Sequence, residues 1–155
     1  MLNNLETTFE NEINYFQITI KTLFVNAMNF KNSAFLLQNL YESLITFYGE
    51  EMKKNLVIDD IIKNLKHYLL TKPQFIVLVV DEFDQLFLKS TFQTSLSFKL
   101  IELSELLNSR LILVGISNTM DLVYKLSQKY KHDLRHIKNV IFKPYDETKI
   151  TKIIE

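Results

Sequence analysis

Residues 75 to 87 read FIVLVVDEFDQLF, in which six apolar residues end abruptly in Asp81-Glu82, with Asp84 two further on. A carboxylate at the end of a buried strand can hold Mg²⁺, directly or through water. Magnesium keeps several waters and takes one or two protein carboxylates alongside substrate phosphates. An adjacent glutamate can then orient or deprotonate a water for attack on a phosphoryl group. The same residues also suit a plainer role, with Glu82 or Asp84 serving the N-terminus of a following helix.

A second polar cluster, Ser117-Asn118, follows the apolar run LILVGI at residues 111–116. If both runs are strands of one parallel sheet, Asn118 comes to the same edge as Glu82. A neutral amide there can bond a γ-phosphate or the attacking water without adding charge. The alternative is an asparagine that starts the Asn-Thr-Met-Asp turn and caps the next helix.

Elements of two kinds must position these groups. Leu2 to Phe16 is expected to be helical, with Leu5, Phe9, Ile13 and Phe16 on one face. Ile18 to Val25 alternates and is β-branched, so it reads as a strand. Asn32-Ser33 caps a helix with the stripe Leu36, Leu37, Leu40, Leu44 and Phe47, which Tyr48-Gly49 ends. Asp59-Asp60 opens another, with Ile61, Ile62, Leu65 and Leu69 inside and Pro73 beyond its end. Phe75 to Val80 is a strand, Leu96 to Leu107 a helix and Leu111 to Ile116 a strand. SNTMDL leads from a loop into a helix, Asn139 to Phe142 is a short strand, and Asp146 to Glu155 begins a helix. Strands thus alternate with helices. FIVLVV and LILVGI are apolar at every position, which predicts a parallel sheet covered on both faces. Ligands of such sheets bind beyond the carboxyl ends of the strands, where the polar clusters lie.

The 155 residues suffice for one domain with a core. Apolar residues make up 47% and charged ones 23%, as in a globular rather than a disordered chain. Lys+Arg and Asp+Glu both number 18, so overall charge argues neither for nor against nucleic acid. Basic residues outnumber acids between Lys125 and Lys152, a segment that either faces a polyanion or is a solvated face. There is no cysteine, which excludes disulfides and thiolate metal sites and suits a reducing compartment. No apolar run approaches the roughly 20 residues that cross a bilayer. The polar N-terminal stretch does not read as a secretory signal.

VLVVDEFDQL, LILVGISNTMDL and FKPYDETKI occur in that order. Together they resemble the AAA+ ATPases that initiate DNA replication, the origin recognition complex large subunit and its relative, cell division control protein six. LFVNAMNF (Leu23 to Phe30) is similar to the strand and turn after the first helix of those proteins. The likeness covers residues 19–155. It implies an α/β fold, a three-layer parallel-sheet P-loop NTPase core lacking its first strand and phosphate-binding loop, as a single partial domain over 1–155. It implies that Asp81 is the Walker B magnesium carboxylate, Glu82 the glutamate that activates water, and Asn118 the sensor-1 residue that reads the γ-phosphate. Arg135 lies near the family's arginine finger, but its spacing to Phe142 is short and the context is Asp133-Leu134-Arg135-His136 rather than Ser-Arg-Leu. A surface arginine is the alternative. The implied cofactors are ATP and Mg²⁺ in the intact protein. The implied partners are origin DNA, other origin recognition complex subunits and the replicative helicase, in the nucleus and with no membrane.

The family's phosphate loop, G-x-x-x-x-G-K-[ST], holds phosphates on backbone N–H groups and a lysine. The only glycines here are Gly49 and Gly115, and neither precedes Lys-Ser or Lys-Thr. The resemblance implies that Met1 begins just past that loop, and that a helical lid and a winged-helix DNA-binding domain lie beyond Glu155. It further implies a missing central strand, which leaves apolar strand edges open. The expectation is a fragment of a replication-licensing ATPase, with ATP binding and hydrolysis belonging to the intact protein. A catalytically inactive scaffold subunit is the alternative. A signalling or chaperone ATPase fits Asn118–Leu122 and Phe142–Tyr145 less well.

Overall fold

The computed structural model describes residues 19–53, 55–87, 91–130, 134 and 137–142. The chain divides into a larger unit, Met1–Asn118, and a smaller one, Thr119–Glu155. In the larger unit β1 (Ile20–Asn26) leads through a 3-10 turn (Ala27–Asn29) to α1 (Ser33–Tyr48) and α2 (Ile58–Thr71). β2 (Phe75–Asp81), a 3-10 turn (Phe83–Phe87), α3 (Thr91–Glu105) and β3 (Leu111–Gly115) follow. The strands form one sheet in the order β1-β2-β3, with both pairs parallel. The smaller unit contains α4 (Leu122–Tyr130).

Local chemistry sets these elements. The Asn32 side-chain oxygen accepts the Phe35 N–H at 3.0 Å and caps α1, which ends at Gly49 with φ +64°, a conformation that costs glycine nothing. α2 starts without a side-chain cap. Asp59 and Asp60 lie in its first turn, where the helix dipole favours anions. Leu36, Leu40 and Leu44 of α1, Leu65 and Leu69 of α2 and Leu100 of α3 are buried, as are Ile76, Leu78 and Val80 of β2. Burying each such side chain contributes about 1.5–3 kcal/mol.

The parallel α/β order is as expected, and three details differ. α3 begins at Thr91, earlier than the apolar pattern predicts, and the polar Thr94 of this added turn is buried. Ser97 Oγ lies 2.7 Å from Ser33 Oγ and donates to the Leu86 carbonyl at 2.9 Å, and both serines are buried. The helix stops before Leu107, where Asn108 turns into the left-handed region at φ +64°. Asn139 to Phe142 forms no strand. A strand exists only through a ladder, and no described strand supplies it with a partner. The expected helices Leu2–Phe16 and Asp146–Glu155 lie outside the described residues.

The sheet is not covered evenly on its two faces. α1, α2 and α3 pack against one another and α3 packs on β3, with Ile76, Leu78 and Val80 of β2 buried. Phe24, Ile112 and Val114, on the other face, are 54%, 46% and 41% exposed.

An exposed cluster ties the ends of α1 and α2. Lys72 Nζ lies 2.6 Å from Glu50 Oε1 and 4.9 Å from the centre of the Tyr48 ring, which stacks on Tyr68 at 5.6 Å. The Tyr68 hydroxyl donates to the other Glu50 oxygen. The hydrogen bond from Lys72, then that from Tyr68, hold the Glu50 carboxyl below its ordinary value. A lowered carboxyl stabilises the fold above its unfolded-state value, about 4.3, and loses that contribution as pH falls through the folded value. Denaturant titrations should therefore find Glu50→Gln slightly less stable than the parent at pH 7. The gap should close on acidification below pH ~4; a gap constant with pH would contradict the assignment.

Candidate functional site

Parallel register places Asn26 of β1 beside Asp81 of β2, at the carboxyl end of the sheet. The Asn26 amide donates from Nδ2 to Asp81 Oδ2 at 3.2 Å, and its own oxygen accepts the Met28 N–H at 2.9 Å. The 3-10 turn therefore fixes the amide, and the amide fixes the carboxylate. Asp81 Oδ1 accepts the Glu82 N–H at 2.9 Å, which locks the carboxylate plane further. Asp81, Glu82 and Asn26 are all partly exposed, as groups that meet a ligand must be.

At Glu82 the backbone enters the left-handed region, φ +52°, a conformation that costs a non-glycine residue about 1–2 kcal/mol. The turn is held there by the sheet. Phe83 N–H donates to the Ile116 carbonyl at 2.8 Å, and Ile116 N–H donates to the Val80 carbonyl at 2.9 Å. These two bonds tie the segment after β2 to the segment after β3. As a result Asn118 Nδ2 reaches Glu82 Oε1 at 3.1 Å. Gly115 permits the close approach, since a Cβ there would stand 2.8 Å from Cγ and Cδ1 of Phe83. Behind Phe83, edge-to-face contacts run to Phe87 and on to Phe98, each at 5.3 Å.

The structure thus brings Asp81, Glu82 and Asn118 to one edge. Asp84, the other acid of the run, is buried within the 3-10 turn. Arg135 lies outside the described residues. Asn26 was absent from the expected set. Its signal is its position as the polar residue that ends β1, one beyond the expected strand end at Val25.

A single carboxylate fixed by neighbours can join a magnesium shell completed by water and phosphate oxygens. Among the described residues no group of three or more acids or histidines could hold a metal by itself. Asp81 therefore fits an ion that a phosphate ligand brings along, and not a caged one. Glu82, oriented by Asn118, presents a carboxylate beside it that can take a proton from water.

Comparison with known proteins places the chain in a family. No protein-family profile matches the chain. The human cell division control protein 6 homolog is 30% identical over 141 residues, which cover 87% of this chain and 23% of that protein. Origin recognition complex subunit 1 of Plasmodium falciparum is 37% identical over 79 residues, covering 51% of this chain and 6% of that protein. Among solved structures, Aeropyrum pernix ORC1 in complex with DNA superposes with a TM-score of 0.69 at 20% identity, over 96% of this chain and 37% of that one. The ORC2 protein of the same organism, in ADPNP and ADP complexes, gives 0.61 at 17%, over 79% of this chain and 31% of that one. The chain spans less than a quarter of the length of those curated relatives. By sequence and by fold, it is a distant homologue of the AAA+ replication initiators of the cell division control protein 6 and origin recognition complex subunit 1 type, and corresponds to only part of them.

Proposed function

We propose that the chain is one partial AAA+ domain carrying the carboxylate half of an ATP site in a replication-initiation ATPase. The observation that carries this is the convergence of Asp81, Glu82 and Asn118 at one sheet edge, with Asn118 on Glu82 at 3.1 Å. Asp81 is the residue to hold Mg²⁺, which would neutralise phosphate charge when bound with ATP. Glu82 takes the proton of the attacking water, and Asn118 orients Glu82 and meets the γ-phosphate. Arg135 is the candidate arginine finger toward a neighbouring subunit's nucleotide. As part of a longer protein, the chain acts at replication origins in the nucleus, with origin DNA, origin recognition complex subunits and the replicative helicase as partners. The likeness to a protein solved with DNA and to one solved with ADPNP and ADP supports these assignments.

Without a G-x-x-x-x-G-K-[ST] loop, the 155 residues lack the usual backbone cradle for phosphates. The purified chain should therefore show neither saturable ATP binding by calorimetry nor ATP turnover. Turnover that Glu82→Gln abolished would overturn the assignment of only half a site to this chain. The second reading is an inactive scaffold subunit. The organised Asp81, Glu82 and Asn118 argue against it.

A further inference from the structure

The turn that carries Glu82 is held at both ends. At its start, Phe83 N–H donates to the Ile116 carbonyl at 2.8 Å, and within it Gln85 N–H donates to the Glu82 carbonyl at 2.9 Å. At its far end Leu86 is fully buried, and a buried carbonyl must find a donor. The donor is Ser97 of α3, whose Oγ stands 2.9 Å from the Leu86 carbonyl oxygen. A second hydroxyl lies behind it. Ser33, the first residue of α1, places its Oγ 2.7 Å from Ser97 Oγ, and both serines are 1% exposed. A hydroxyl carries one proton, and a carbonyl can only accept. The Ser97 proton is committed to Leu86, so Ser33 donates to Ser97. Donation therefore runs from α1 through α3 into the turn after Glu82.

We propose that Ser97 is a positioning residue for Glu82: its hydroxyl, backed by Ser33, anchors the far end of the turn and so keeps the Glu82 carboxylate within reach of Asn118. The inference rests on the reading of Glu82 as the group that takes a proton from water. It adds that α3, which supplies none of Asp81, Glu82 and Asn118, sets their geometry from within the core. Packing alone does not call for serine at this position. Leu96, Phe98 and Leu100 around it are apolar and buried, and alanine is the better helix former. The backbone of Glu82, at φ +52°, stays in that region only while its surroundings hold it there. Phe98, next to Ser97, supports the same turn through its edge contact with Phe87. Removing the Ser97 hydroxyl leaves the Leu86 carbonyl short of a donor inside the core, a loss that the turn can answer only by moving.

Amide hydrogen exchange and NMR spectra of the full 155-residue chain test this without nucleotide, and so apart from any assay of turnover. Ser97→Ala should speed exchange of the Phe83 and Gln85 amides about tenfold beyond any change shared by amides inside β2, which open with the fold as a whole. The Asn118 side-chain amide resonances should move toward their positions in Glu82→Ala, where their acceptor is absent. Ser33→Ala leaves the Ser97 proton on Leu86 and should act in the same direction to a lesser degree. If Ser97→Ala does not fold, Ser97→Cys takes its place, because a thiol is a weak donor. Equal acceleration in the turn and in β2 would make Ser97 a packing residue and overturn the proposal. Unchanged exchange would overturn it as well, as would a loosened turn with the Asn118 resonances in place. Asn118 resonances that Glu82→Ala itself leaves unmoved would overturn the reading of the site, and this inference with it.

Discussion

Replacing Glu82 by Gln is expected to lower kcat for ATP by about 10²–10⁴, in a protein that joins this chain to a phosphate-binding loop. ATP affinity should be nearly unchanged. The substitution keeps the side chain's shape, and the amide oxygen that replaces Oε1 can still accept from Asn118 Nδ2, now at 3.1 Å. What disappears is a group able to take a proton from water. A loss in kcat with nucleotide binding retained identifies a role in the chemical step rather than in binding. Loss of ATP affinity by a similar factor would instead mean that Glu82 holds the ligand. Glu82→Gly separates chemistry from folding. Glycine adopts φ +52° freely, so this variant should lose turnover while unfolding no more easily than the parent in its backbone term. Residues held in unfavourable backbone regions because the surroundings fix them recur at functional sites, and the pinned turn at Glu82 has that character.

Gly115→Ala carries the second large effect, expected at about 1–3 kcal/mol of destabilisation from overpacking. The added methyl would meet the Phe83 ring at 2.8 Å. The ring cannot retreat freely, because Phe83 is buried and stacked edge-on against Phe87, and its backbone N–H is bonded to Ile116. Thermal unfolding should shift down by roughly 4 °C per kcal/mol. Phe83→Leu should recover part of the loss in the double variant, since the two residues are in direct contact and their effects cannot be additive. An unchanged melting temperature in Gly115→Ala would show that the turn after β2 is looser than described. The same steric change threatens the site, because Phe83 follows Glu82 directly and its displacement moves the carboxylate away from Asn118.

The long apolar runs made β2 and β3 legible in sequence, and a buried parallel strand leaves few other readings for FIVLVV. The polar residues that follow those runs were legible as site candidates for the same reason, since ligands gather at that edge. Asn118 could be placed beside Glu82 from strand order alone. Asn26 could not, because its role depends on the register of β1 against β2, which pairs it with Asp81. The strained backbone at Glu82 and the contact between Gly115 and Phe83 depend on tertiary hydrogen bonds and carry no local pattern. The early start of α3 was hidden because its first turn, from Thr91 to Ser95, is mostly polar, yet Thr94 is buried. The expected strand at Asn139 to Phe142 failed because β-propensity is realised only against a neighbouring strand. The likeness to the replication initiators rested on ordered motifs, and the overlap with the human relative covers 87% of this chain.

The central claim is that Asp81, Glu82 and Asn118 form one half of an ATP site. The most direct measurement is to sequence the transcript upstream of the Met1 codon and to determine the mass of the native protein. The account predicts an in-frame apolar strand followed by G-x-x-x-x-G-K-[ST], in a native protein heavier than the 18.4 kDa of these residues. A native protein of 18.4 kDa, with translation starting at Met1, would contradict it and leave the scaffold reading in its place.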